Sequence, residues 1–191
     1  PQESLIADAG VGNGLISKCR TVVKVNNFVA GCRIHDIRAD LVEQILHEKY
    51  SFYCEFSNML AWAPVDGTLL PCFHWQGAVQ AMGVRKCYAA GYAVGHRIQG
   101  PGDTDSFDTC SAESCTVGLE LTGTANAGGG LSGLRLRNWY FENNGDAIKA
   151  DTAFNYENID IDNCFFNANY NILSGRTIYS GRFGRLNRVV S

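Results

Sequence analysis

The chain has 191 residues, of which 46% are apolar and 11% aromatic, so it can form a hydrophobic core and is not a disordered chain. Its formal net charge of −3 excludes the strongly basic surface that binds phosphate backbones, and we expect no nucleic acid partner. The sequence contains no run of 18 apolar residues, so we expect no membrane insertion. The start, Pro1 to Ser4, lacks the features of a signal peptide. Because the first residue is not Met, we expect that the chain was cut from a longer one.

The first 75 residues show the least regular pattern. Asp40 and Glu43 resemble a capping box before an apolar stretch, so residues 40–49 could form a short helix, with a strand-rich coil as the alternative. Residues 62–71 contain two prolines and an Asp-Gly pair and are predicted to form a surface loop.

Residues 79–191 carry a repeat that becomes clearest towards its end. Residues 134–141 (LRLRNWYF) and 159–166 (IDIDNCFF) align at an offset of 25, each with alternating aliphatic and charged residues, an Asn, and an aromatic strand. A turn at residues 143–145 leads into a third strand. Weaker copies lie at residues 82–98 and 107–121, a Gly-rich loop is predicted at 124–130, and a truncated copy begins near Ile178.

Three short strands per repeat of about 22 to 25 residues predict stacked coils. We therefore expect an all-β fold, a single-stranded parallel β-helix over residues 1–191. Eleven of the 15 Asn residues lie from residue 126 onward, where they suit left-handed turns and amide ladders between coils. A β-sandwich would need more hairpin turns than the sequence contains.

Several of the eight cysteines recur at about the interval of the repeat: Cys32 and Cys54 lie 22 residues apart, Cys87 and Cys110 lie 23 apart, and Cys110 and Cys164 lie 54 apart, close to two repeats. Their even number is compatible with disulfides, but the chain is long and apolar enough to fold without them, and buried reduced thiols are the favoured interpretation. No Cys/His spacing typical of a metal site is present, and we expect no metal and no cofactor.

The coils of residues 79–175 resemble those of the pectate-lyase-like superfamily of right-handed β-helices, and the I-x-I-x-N-C-x-F coil is most similar to coils of bacteriophage tailspikes. This resemblance implies a homotrimer on the phage virion, made in the bacterial cytoplasm, that recognises and often cleaves O-antigen or capsule. The Asn-Thr-Asp, Asp-Asp, Gly-His-Gly and Arg-Ile-Lys motifs of polygalacturonases are missing, as is the glycine-rich start of the family's β-helix domain. The latter fits an interior or carboxy-terminal fragment.

Alternation in the two clean coils sends Arg135, Arg137, Asp160 and Asp162 outwards, with Arg135 beside Asp160 and Arg137 beside Asp162. These four side chains can form a surface lattice of charges. Residues i and i+2 on a strand lie ~6.6 Å apart, so the two aspartates could also act as the acid and base of an inverting glycosidase. The nearby arginines disfavour a neutral acid at pH 7.

Other candidate residues follow from chemical type. Asp108 and Glu120 are further outward carboxylates that could complete a catalytic pair. Trp75 is predicted to be exposed and to stack on sugar rings, as is Tyr140. The neighbouring His74, together with Arg135 and Arg137, could also bind the glycan. Trp139 aligns with Cys164 and is expected to fill the core.

The sequence thus predicts a tailspike or tail fibre segment that recognises, and possibly cleaves, a bacterial surface polysaccharide. If it is an enzyme, it is an endoglycosidase or a polysaccharide lyase. The alternatives are a non-catalytic structural or receptor-binding module and a bacterial surface adhesin.

Overall fold

The computed structural model describes residues 15–17, 19–26, 33–65, 67–77, 79–100, 102–103, 105–123, 131–175, 182–183 and 188–190. These residues form 23 strands, numbered here in chain order, and no helix. All strand pairs are parallel, and each strand pairs with the equivalent strand of the neighbouring coil, which makes the fold a parallel β-solenoid. No helix of the described residues is long and apolar enough to cross a membrane.

The strands belong to three sheets. The first sheet contains β1 Leu15–Ser17, β3 Arg33–Asp40, β5 Glu55–Trp62, β8 Gly83–Ala90, β11 Ser106–Asp108, β12 Ser111–Glu113, β15 Arg135–Arg137, β16 Tyr140–Glu142, β19 Asp160–Asp162, β20 Phe165–Asn167, β22 Arg182–Phe183 and β23 Arg188–Val190. The second contains β2 Thr21–Asn26, β4 Gln44–Lys49, β6 Pro71–Gln76, β9 Val94–Gln99, β13 Val117–Thr122, β17 Asp146–Ala150 and β21 Asn171–Gly175. The third contains β7 Val79–Gln80, β10 Gly102–Asp103, β14 Leu131–Ser132 and β18 Tyr156–Glu157.

The predicted repeat register is confirmed. Arg135 pairs with Asp160 and Arg137 with Asp162, while the intervening Leu136 and Ile161 are buried. The copy expected at residues 82–98 corresponds to strands β8 and β9, and the copy expected at residues 107–121 corresponds to strands β11, β12 and β13. Strands β22 and β23 pair with β19 and β20 and continue the stack, although Ile178 lies outside the described residues, as does the loop expected at 124–130.

The first sheet bends along a column of residues with positive φ, one in each coil. In each coil, the residue of this column divides the part of the chain that belongs to the first sheet into a first and a second half; Asn138, for example, lies between β15 and β16. Its members are Asp36, Asn58, Lys86, Thr109, Asn138 and Asn163, with φ between 51° and 59°. The predicted left-handed turns and amide ladder are confirmed here, because Asn163 Nδ2 donates to Asn138 Oδ1 at 2.6 Å and Asn138 Nδ2 donates to Asp108 Oδ1 at 2.7 Å.

The helix considered for residues 40–49 is wrong, and the strand alternative is confirmed. Leu41 has a φ of 55°, which ends β3 and turns the chain instead of starting a helix. Residues 44–49 then form β4, whose inward side chains include Leu46 and which pairs with β2 and β6.

The described cysteines form no disulfide with one another, and all but the partly buried Cys19 lie in the core. Cys32 lies outside the described residues. Cys87 and Cys110 hold the same inward position in successive coils, which explains why their spacing follows the repeat. Burial raises the pKa of the Cys87 thiol, so this sulfur stays protonated.

Candidate functional site

The most distinctive surface of the solenoid is the outward face of the second half of the first sheet. Parallel register places equivalent side chains of successive coils side by side, ~4.8 Å apart. Two adjacent outward columns bring together aromatic rings, carboxylates, one amide and one guanidinium. We name this surface the aromatic–carboxylate face, and it comprises Arg38, Trp62, Tyr88, Glu113, Tyr140, Glu142, Phe165 and Asn167.

The aromatic rings of this face are half-buried and form two contacting pairs, with Ser111 between Tyr88 and Tyr140 in the column. Trp62 and Tyr88 have ring centroids 5.4 Å apart, and the Arg38 guanidinium lies 5.1 Å from the centre of the Trp62 ring. Tyr140 and Phe165 stack in parallel with their centroids 5.1 Å apart. These contacts fix the orientation of the rings before any ligand binds.

Two carboxylates lie directly opposite each other on the same face. Glu113 pairs with Glu142 across neighbouring coils, an arrangement that is unfavourable for like charges. The Tyr88 hydroxyl donates to Glu113 Oε2 at 2.8 Å, and Asn167 Nδ2 donates to Glu142 Oε1 at 2.7 Å. Burial and the Glu113 carboxylate raise the pKa of Tyr88, so this hydroxyl remains a donor.

A protruding loop leaves the solenoid directly after Trp62. The three following coils make the same corner in three residues, between β8 and β9, β12 and β13, and β16 and β17, whereas here residues 63–70 lie between β5 and β6. Val65 and Leu69 are each 93% exposed. The surface loop predicted for residues 62–71 is therefore confirmed, except that its ends, Trp62 and Pro71, belong to strands.

The predicted charge lattice lies on the other half of the same sheet, across the column of positive-φ residues. Asp160 and Asp162 flank the buried Ile161 and are partly exposed, as predicted. Among the described side chains, neither Arg135 and Asp160 nor Arg137 and Asp162 form an ion pair within 4.0 Å. Register brings these four residues together, and catalysis by the two aspartates stays a prediction.

The other two predicted acids are engaged in different places. Asp108 Oδ1 accepts hydrogen bonds from Asn138 and from the Thr109 hydroxyl, and so lies at the end of the amide ladder. Glu120 lies on the second sheet, where its carboxylate accepts a hydrogen bond from Arg97 Nε at 2.5 Å. The structure does not bring Asp108 and Glu120 onto the aromatic–carboxylate face.

The prediction that Trp75 is exposed is wrong. Its side chain is fully buried on the inward face of β6, where Phe73 lies parallel to it and Phe56 and Phe107 meet it edge-on. The neighbouring His74 points outwards from the second sheet, stacks on His47 and donates to Gln99. Burial lowers the pKa of His74 to about 4, so it is neutral at pH 7.

Of the predicted sugar-binding residues, Tyr140 alone lies on the aromatic–carboxylate face. Sequence reasoning missed Trp62, Tyr88, Glu113 and Glu142, whose alignment becomes visible only through the register of consecutive coils. The expectation that Trp139 fills the core is confirmed, since its side chain is 1% exposed.

Groups of three or more His, Cys, Asp or Glu side chains that could hold a metal ion do not occur in the described part of the chain. Comparison of the chain with protein-family models, with curated proteins and with solved structures gives no match in any of the three.

Proposed function

We propose that this chain is a β-solenoid segment of a phage tailspike or tail fibre, and that it binds a bacterial surface polysaccharide on the aromatic–carboxylate face. The observation that carries the glycan proposal is the two pairs of half-buried rings beside Glu113, Glu142 and Asn167. Aromatic faces stack on the C–H faces of sugars, and carboxylates and amides bind hydroxyl groups. The phage origin, the virion location and the homotrimer rest on the resemblance of the coil pattern.

Replacing Trp62 with alanine is expected to weaken glycan binding at least tenfold, because one large stacking surface is lost. Binding would be measured by calorimetry or on arrays of purified O-antigen and capsule polysaccharides. Tyr170→Ala is the matched control, since Tyr170 is an aromatic residue that is 89% exposed and lies outside the face.

The proposal fails if the folded protein binds none of these polysaccharides. It also fails if Tyr170→Ala weakens binding as much as Trp62→Ala does. Circular dichroism of each variant would establish that the fold is retained.

A second candidate function is hydrolysis of the bound glycan, and the pairing of Glu113 with Glu142 favours it. Glycosidases place two carboxyl groups about 5–9.5 Å apart across the scissile bond, a separation that side chains on neighbouring strands can reach. One carboxyl would protonate the leaving oxygen, and the other would activate water or attack the sugar directly.

We expect Glu113→Gln and Glu142→Gln each to reduce the release of new reducing ends by at least 100-fold while glycan binding is kept. Glu157→Gln, an exposed acid on the third sheet, should leave the rate unchanged. Loss of cleavage in Asp160→Asn or Asp162→Asn instead would place the chemistry on the charge lattice. An unsaturated uronate product would indicate a lyase, and binding without cleavage would leave a receptor-binding module.

A further inference from the structure

Residues 50–53 form an aromatic corner that is strained. Tyr50 and Tyr53 have φ angles of 60° and 52°, a conformation that bulky side chains rarely adopt, and they are 39% and 67% exposed. The Tyr50 ring lies against Gly77, where an added Cβ would come within 2.6 Å of it. The corner is tied to the next coil by the Tyr50 N–H, which donates to the Gln76 carbonyl at 3.0 Å.

Beneath this corner lies a group of buried polar atoms without hydrogen bonds. The Glu48 side chain is fully buried on the inward face of β4, between Val25 and Trp75 in the neighbouring coils. Neither Glu48 carboxyl oxygen has a hydrogen-bond partner, and the same holds for Ser51 Oγ and Trp75 Nε1. Buried polar atoms without hydrogen bonds destabilise this structure, and they would be hydrated if residues 50–53 moved away from them.

Among the described residues that influence the Glu48 carboxyl, none is a cation that could balance its negative charge. The neighbouring coils present Val25 and the Trp75 indole, and the charged group that acts on Glu48 is the buried Asp105. Burial, with a smaller effect of Asp105, raises the pKa of Glu48 to about 7. Ser51 and the Gln76 main chain lie near enough to oppose this shift, but they do not meet the geometry of a hydrogen bond to the Glu48 carboxyl.

We propose that residues 50–53 are a pH-controlled flap, closed over protonated Glu48 and opened when Glu48 releases its proton to solvent. The backbone strain at Tyr50 and Tyr53 and the buried polar atoms without hydrogen bonds below them both favour opening of the flap. Closure depends on the neutral carboxylic acid, which is the form that tolerates the dry interior.

The direction of the pH effect follows from linkage. The closed form has a Glu48 pKa of about 7, whereas the ordinary pKa of a glutamate side chain, 4.5, is the value that an opened, hydrated carboxyl approaches. The stabilisation of the closed form is complete below pH 4.5 and is lost as the pH rises to 7. The opening equilibrium therefore rises by about 40-fold between pH 5 and 7, and it levels off above that range.

Hydrogen exchange of the Tyr50 amide tests the proposal, with rates divided by the intrinsic exchange rate at each pH. Between pH 5 and 8, protection in the wild type is expected to fall by roughly 50- to 100-fold, whereas Glu48→Gln should show no such fall. Gly77→Ala, which pushes on the Tyr50 ring, should lower protection at every pH. The Ile148 amide, in the distant strand β17, is the reference for global unfolding.

The flap is excluded if corrected protection of the Tyr50 amide does not change with pH in the wild type. It is also excluded if Glu48→Gln keeps the wild-type slope, or if Ile148 loses protection in parallel. If a variant does not fold, the pH dependence of Tyr50 and Ile148 amide protection in the wild type is sufficient to test the flap.

Discussion

Replacing Trp139 with alanine is expected to lower the free energy of unfolding by about 3–5 kcal/mol, the range for large aromatic residues removed from a packed core. The Trp139 indole stacks on Phe141 at 5.2 Å and meets His96 edge-on at 4.8 Å. Its Nε1 also donates to the Phe107 carbonyl at 3.1 Å, so truncation creates a cavity and leaves a buried carbonyl without its partner. Urea denaturation followed by circular dichroism would measure the change.

The matched variant is Trp62→Ala, which removes the same side chain from the half-buried aromatic–carboxylate face. We expect it to cost much less stability than Trp139→Ala and to be the one that loses glycan binding. If the two variants lost similar stability, the assignment of Trp139 to the core and Trp62 to the surface would be wrong. This pair of variants therefore separates the role of the scaffold from that of the site.

The parallel coil architecture could be predicted because the pattern of inward and outward residues recurs at a fixed offset in two adjacent coils. That recurrence predicted the neighbours of Arg135 and Arg137 and the burial of Trp139. Trp75 was misplaced because the coils near it lack a clear sequence repeat. Its inward direction follows from pairing with Glu48 and Ile98, which the sequence does not reveal.

The candidate site was harder to predict than the fold. The number of residues between aligned positions changes from coil to coil, so Trp62, Glu113 and Glu142 share no constant spacing. Binding surfaces on a solenoid depend on outward side chains, which carry no apolar pattern to mark their register. Tyr140 was identified because it lies in the coils where the repeat is clearest.

Asn144→Ala is expected to cost about 2–5 kcal/mol of stability, although it removes only one small amide. Asn144 is buried, its Oδ1 accepts from the Cys115 N–H at 3.0 Å, and its Nδ2 donates to the Ala112 carbonyl at 2.9 Å. Nδ2 also donates to Asn169 Oδ1 at 2.9 Å, so one amide joins three successive coils. Truncation leaves the Cys115 N–H and the Ala112 carbonyl unsatisfied in the interior, where water cannot readily replace the amide.

Asn171→Ala is the control for this variant, because Asn171 also bonds to a neighbouring coil, through Asp146 at 2.7 Å, but is exposed. Water can satisfy Asp146 after that substitution, and we expect a loss below about 1 kcal/mol. Thermal and urea unfolding of both variants would compare the two amides directly. A larger loss at Asn144 is expected because its amide is buried and makes three hydrogen bonds, against one for the exposed Asn171 amide. Equal losses would contradict the assignment of Asn144 as a buried contact that stabilises the stacking of successive coils.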